Sequence, residues 1–270
     1  MHHLCMHTAY SKSMAQIIAF TMQKGGVGKT TTTLNLGVNL AKRGKKVLLV
    51  DTDPQANTTL GLGVSLSDQE PEFSTYEVLL NPERGASFAI VHTTAGVDLI
   101  PARFDLAGAE LELAGKVGRE LLLQEALSSL LSVYDYILID SPPNLGLFTL
   151  NAMAAAGSLI VPIQAHVYAY KALPQLEATV KLVKKLNPRL HIGGMLITQY
   201  DSRTNLSATI TQRVRTEYGA LVFQTVIPLN VKLAEAPAAG TPIQLYDPLG
   251  AGAKAYSKLA EEVEARYAQK

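Results

Sequence analysis

The sequence predicts an α/β fold, a doubly wound, mostly parallel sheet flanked by helices. Three observations carry the prediction. Short apolar runs such as IIAFTM (17–22), KVLLV (46–50) and YILID (136–140) are continuous rather than alternating, as strands buried on both faces require. Stretches with helical spacing lie between these runs, the alternation of a doubly wound sheet. A glycine-rich turn joins the first run to the first helix, at the strand end where such sheets hold ligands.

Taken in order, the strand candidates are 17–22, 46–50, 97–101, 136–140, 158–163, 193–200 and 222–228. The helix candidates are 30–43, 75–80, 104–114, 119–132, 145–156, 170–186, 205–218 and 250–267. The first helix ends at Gly44, a residue type suited to a left-handed helix terminus. No repeat or Pro/Gly linker divides the chain, so residues 14–270 read as one domain. Residues 1–13 (MHHLCMHTAYSKS) lack the apolar core of a signal peptide and read as a disordered extension. His2, His3 and His7 there suit a metal or simply a flexible tail.

Composition narrows the function. The chain has 270 residues, 47% of them hydrophobic and 17% charged, which excludes a disordered polypeptide. Its one cysteine, Cys5, excludes a disulfide framework and any Cys-rich metal site. No run is long enough to span a membrane, so a cytoplasmic protein is expected. His92, His166 and His191 are isolated and form no nucleophilic triad. The net charge of +1 gives no global reason to expect nucleic acid. Its distribution does: residues 179–232 hold eight Lys+Arg against two Asp+Glu, where a phosphate-backbone footprint or a set of solvated helix faces would both fit.

The strongest motif is Gln23-Lys24-Gly25-Gly26-Val27-Gly28-Lys29-Thr30-Thr31, between a strand and a helix. Its glycines let backbone N–H groups turn inward on phosphates, and the following helix adds the positive end of its dipole. Lys29 suits the β- and γ-phosphates and the Thr30 hydroxyl suits Mg²⁺. Two acidic segments follow. VLLVDTDPQAN (47–57) sets Asp51 and Asp53 just past a buried strand, although Asp and Pro also suit a plain turn. YILID ends on Asp140, a carboxylate that a buried strand would deliver to the Mg²⁺ shell, and Ser141-Pro142-Pro143 follows it.

The KGGVGKT form, with Gln23 in place of the usual first glycine and the added Lys24, resembles the deviant Walker A branch of the P-loop NTPases. That branch includes the ParA/Soj partition proteins, MinD and the nitrogenase iron protein. The stretch 226–263, VIPLNVKLAEAPAAGTPIQLYDPLGAGAKAYSKLAEEV, looks like the C-terminal signature of the small chromosomal ParA/Soj type. The missing cysteines argue against the iron proteins. The mild C-terminal AYSKLAEEVEARYAQK argues against a MinD-like membrane helix. The short N-terminal extension argues against the long plasmid type.

The resemblance implies Mg²⁺-dependent ATP hydrolysis, slow without a partner, by a homodimer that sandwiches two ATP molecules. Lys24 would cross to the other subunit's phosphates, Lys29 would hold its own, and Asp53 would orient the attacking water. Mg²⁺ would be held by Thr30 and, through water, by Asp53 and Asp140. The loop from Lys24 to Thr31 would contact phosphates, and Pro228 and Asn230 would lie near adenine. The chain departs from many relatives in having Leu229 where they have Arg. The implied partners are non-specific double-stranded DNA of the nucleoid, bound by Arg203, Arg213, Arg215 and Lys232, and a ParB/Spo0J-type centromere-binding protein. The alternatives are a MinD-like membrane-associated positioning ATPase and a metabolic ATP-dependent synthetase of the same fold.

Overall fold

The computed structural model describes residues 14–66, 70–166 and 170–268, so the expectations for residues 1–13 lie outside the described residues. Eight strands form one sheet: β1 (Gln16–Phe20), β2 (Val47–Asp51), β3 (Val91–His92), β4 (Asp98–Ile100), β5 (Tyr136–Asp140), β6 (Ser158–Gln164), β7 (His191–Tyr200) and β8 (Val222–Pro228). Their spatial order is β3-β4-β2-β5-β1-β6-β7-β8. Every pairing is parallel except that of the two-residue β3 with β4. β1 lies between β5 and β6, so the chain leaves it in opposite directions at different stages. That reversal opens a crevice at its C-terminal end.

The helices are α1 (Lys29–Lys42), α2 (Asn57–Gly61), α3 (Thr75–Leu80), α4 (Leu106–Leu113), α5 (Leu122–Leu127) and α6 (Leu147–Ala155). They continue with α7 (Leu173–Val183), α8 (Asn205–Tyr218), α9 (Lys232–Ala238), α10 (Ile243–Tyr246) and α11 (Ala251–Tyr267). Alternate strand residues feed two cores. Ile18, Phe20, Leu49 and Leu138 face α1 and α11, whereas Ala19, Leu48, Val50 and Ile139 face the layer that includes α5 and α6. This two-sided burial is why the strands read as unbroken apolar runs. α11 buries Ala253, Tyr256, Leu259, Ala260 and Val263, so its apolar face is already used inside the fold.

The expected strands all appear, within a few residues. The sequence does not predict β3, which is too short to show a pattern. The expected helix 119–132 is shorter: α5 starts at Leu122 and passes into a single 3₁₀ turn, Ser128–Leu130. The expected helix 170–186 ends earlier, at Val183, and a turn at Ala172 separates helical Tyr170 and Lys171 from α7. Nor does the sequence predict α2, α9 and α10. Each spans two turns or fewer, and α9 contains Pro237.

Candidate functional site

The C-terminal ends of β1, β2 and β5 converge on the glycine-rich loop. Val27 is fully buried and anchors that loop in the core. Gly26 (φ +70°) and Gly28 (φ +90°) adopt the left-handed conformation that favours glycine. Two carbonyls of the loop are held from outside. Thr198 Oγ1 donates to Val27 O at 2.8 Å, and Gln199 Nε2 donates to Gly26 O. A carbonyl and the next N–H point in opposite directions across a trans peptide. Both bonds therefore turn the Val27 and Gly28 N–H groups away from β7. No side chain caps α1, so its first N–H groups, like those two, are available to an anion.

Lys29 is only 6% exposed, and its Nζ donates to Lys24 O at 3.4 Å. Burial pulls its pKa down, opposed by the charges of Asp140 and Asp53. Thr30 Oγ1 donates to Asp140 Oδ2 at 2.7 Å, and Thr58 Oγ1 of α2 donates to the same atom at 2.8 Å. Asp140 Oδ1 is buried with no partner among the described residues. Burial raises the Asp140 pKa to about 6, against the lowering effect of the two threonines and Lys29. A buried carboxylate oxygen left open beside a threonine hydroxyl fits a hard cation, which takes oxygen ligands and retains water.

The two aspartates of the β2 end differ in what they touch. Asp51 accepts from Asp53 N at 3.1 Å, Thr59 N at 2.9 Å and Thr59 Oγ1 at 2.8 Å, so it fastens α2 to the strand end. Burial and the neighbouring Asp140 push its pKa up, while those three donors pull it down. Asp53 uses Oδ1 to accept from Gln55 N at 2.9 Å, and no hydrogen bond among the described residues engages its other oxygen. It borders a cavity of about 360 Å³ with Pro142, Pro143, Asn144 and Glu110. Asp53 both makes the turn that DTDP suits and lines this cavity. Ser141 Oγ donates to Phe20 O at 2.8 Å, tying the segment after β5 to β1.

A second cavity, about 300 Å³, lies beside the loop between Gly28, Thr31, Pro228, Asn230 and Tyr256. Leu229, the position of departure, lies on its wall and is half exposed. Thr31, Pro228 and Asn230 are thus brought together with the loop. Lys24 Nζ donates to Gln164 Oε1 at 2.9 Å within its own chain.

The basic candidates are not gathered in the same way. Arg203 pairs with Asp201 at 2.8 Å, and Lys232 with Glu235 at 2.9 Å. Arg213 stacks over the Tyr170 ring at 4.7 Å. Arg215 is half-buried and donates to Gln224 O at 2.9 Å. Arg213 and Arg215 stand two residues apart on α8 and so point in nearly opposite directions. Sequence reasoning missed Thr58, Gln164, Thr198 and Gln199. The last three sit at the C-terminal ends of β6 and β7, and the rule that placed Asp53 would have pointed to them.

The AAA domain family matches residues 15–192. The chain is 49% identical over 253 residues to the sporulation initiation inhibitor protein Soj of Bacillus subtilis, covering 93% of this chain and 99% of that protein. It is 48% identical over 251 residues to the chromosome-partitioning ATPase Soj of Thermus thermophilus, covering 92% and 95%. Among solved structures, it resembles cobyrinic acid a,c-diamide synthase from Mycobacterium smegmatis with bound ATP analog and magnesium. The TM-score is 0.81 at 36% identity, over 95% of this chain and 97% of that one. It also resembles the cell division ATPase MinD of Pyrococcus furiosus, with a TM-score of 0.76 at 32% identity over 93% and 99%. Matched over nearly its whole length, the chain belongs to the Soj/ParA family of chromosome-partitioning ATPases.

Proposed function

We propose that this protein is an ATP-driven switch for DNA segregation. The observation that carries the nucleotide chemistry is the Thr30–Asp140 pair with its open carboxylate oxygen, set beside the phosphate loop. ATP lies with its phosphates against the N–H groups of residues 25–30 and its base in the cavity bounded by Pro228 and Asn230. Thr30 would hold Mg²⁺, with Asp140 and Asp53 engaging it through water. Mg²⁺ held by these residues would supply charge neutralisation for phosphoryl transfer. Lys29 neutralises the β- and γ-phosphates from a site already stripped of water. Asp53 accepts a hydrogen bond from the attacking water through the oxygen its turn leaves open. Lys24 completes the site from a second subunit, so hydrolysis waits on a homodimer and is slow without a stimulating partner.

The ATP-bound dimer holds double-stranded DNA of the nucleoid non-specifically through Arg203, Arg213, Arg215 and Lys232. A ParB/Spo0J-type protein stimulates hydrolysis and releases it. The reading as one domain over residues 14–270, in the cytoplasm and on the nucleoid, belongs to the same proposal. Two other readings have specific support: the likeness to cobyrinic acid a,c-diamide synthase favours a synthetase, and that to MinD favours a positioning ATPase. Against a membrane-bound MinD-like role, α11 already buries its apolar face. Among the described residues, no helix is long and apolar enough to cross a membrane. Retention on random-sequence duplex DNA and on liposomes, with ATP, ADP or neither, separates the three. ATP-dependent retention on DNA alone is expected. Retention on liposomes alone favours positioning, and retention on neither at low salt favours the synthetase.

A further inference from the structure

Lys24 at the start of the phosphate loop and two glutamines outside it form a hydrogen-bond relay that returns to the loop at Gly26. Lys24 Nζ donates to Gln164 Oε1 at 2.9 Å, Gln164 Nε2 donates to Gln199 Oε1 at 2.9 Å, and Gln199 Nε2 donates to Gly26 O. Gln164 ends β6 and Gln199 is the penultimate residue of β7, and these strands are parallel neighbours. Both ends of the relay fix its polarity. An ammonium only donates and a backbone carbonyl only accepts, so each amide must turn its oxygen toward Lys24 and its NH₂ toward Gly26. Gln199 is held at φ +50°, a conformation costly for a residue with a side chain. Its amide thereby meets two partners at once. The relay spans sequence separations of 140, 35 and 173 residues, so only the folded sheet can build it.

We propose that this relay parks Lys24 on its own subunit and releases it when a second subunit presents its phosphates. The release rests on the reading above in which Lys24 crosses between subunits. The parking partner is a neutral amide. A carboxylate there would hold the ammonium as an ion pair, whereas an amide yields to phosphate oxygens, whose full charges make the stronger hydrogen bond. Gln164 and Gln199 are positioning residues: neither needs to touch ATP to set where Lys24 rests. Gln199 also orients the Val27 N–H through Gly26 O, so one side chain serves both the cradle and the parked lysine.

Two near-isosteric substitutions test the relay with opposite signs. Gln164→Met removes the acceptor at similar length, and Gln164→Glu replaces it with an anion. In ADP-loaded protein, amine labelling of Lys24 read by mass spectrometry is expected to rise in Gln164→Met and fall in Gln164→Glu. The protein concentration at half-dimerisation in ATP, read by light scattering, should fall in the first and rise in the second. Each shift should be about tenfold, the lower end of what one hydrogen bond to a charged group is worth. Damage to the fold would move both variants the same way, and the Kd for ADP reads any damage to the cradle. Equal labelling in the three proteins overturns the parking. Shifted labelling with an unshifted dimerisation midpoint overturns the release. A wild type that gains no dimer in ATP, or a Lys24→Met variant that dimerises and hydrolyses normally, overturns the crossing instead, and with it the release.

Discussion

The phosphate-loop end and the basic segment are both rich in charge, and they hold it in opposite ways. At the loop end, Lys29, Asp51, Asp53 and Asp140 are all less than a tenth exposed, and three strand ends and two helices lock them in place. In the basic segment, Arg203 is 82% exposed and Lys232 is half-exposed, and each is engaged by a carboxylate two or three residues away. A buried charge is fixed by the fold and loses most of its function if moved. An exposed one is fixed by little more than its neighbour and contributes through number and salt dependence. The two regions should therefore respond to mutation on very different scales.

The largest effect is expected at Lys29. Lys29→Ala removes a buried cation from the phosphate site and leaves Asp140 and Asp53 without it. Loss of a charge-assisted contact of this kind should raise the Kd for ATP by roughly 100-fold or more, read with a fluorescent nucleotide. Binding within a few-fold of wild type would move the phosphates away from this loop. Asp53→Ala should leave nucleotide affinity nearly intact and lower kcat by about 100-fold, since it removes a water-orienting carboxylate rather than a phosphate contact. A normal turnover rate would remove Asp53 from the chemistry.

Gly25→Val probes the same loop from the solvent side. A Cβ built at Gly25 meets nothing within 4 Å, and its φ does not demand glycine, unlike that of Gly26 or Gly28. The variant should therefore bind ATP as a monomer and fail to form the ATP-dependent dimer, because only an approaching subunit meets the added side chain. An ATP-dependent dimer of this variant in light scattering would refute the close approach of subunits at the loop.

The contrast also accounts for what the sequence made legible. The loop could be read because its residues are contiguous and their spacing follows from the phosphate they surround. β1, β2 and β5 could be read because burial on both faces leaves unbroken apolar runs. Asp51 and Asp53 could be located at a strand end, but not the bonds by which Asp51 fastens α2 there. α2 itself was invisible: five residues give no period, and Asp51 and Asp140 hold it from outside. Gln164, Thr198 and Gln199 were missed because their partners lie far away along the chain. The excess of positive charge in 179–232 was legible as a sum, but its arrangement was not. Two-residue spacing turns Arg213 and Arg215 apart, and Arg215 spends a donor on Gln224 O.

That arrangement yields the smallest and most discriminating expectations. A residue that neutralises one phosphate should lower the slope of log K against log salt by about 0.9 when removed. Arg203→Ala should do so, whereas Arg215→Ala, acting on a half-buried side chain, should change the slope less and thermal stability more. Asp201 sharpens the point. Its contact with Arg203 holds its pKa down to about 2, so it stays ionised, and beside the arginine, throughout the physiological range. Changing pH there cannot free Arg203, but Asp201→Asn can. Removing a negative charge next to the footprint should raise DNA retention by about two- to fivefold at low salt, and by less as salt screens the pair. If Asp201→Asn retains DNA as wild type does across that salt range, Arg203 lies outside the footprint, which then rests on Arg213 and Lys232.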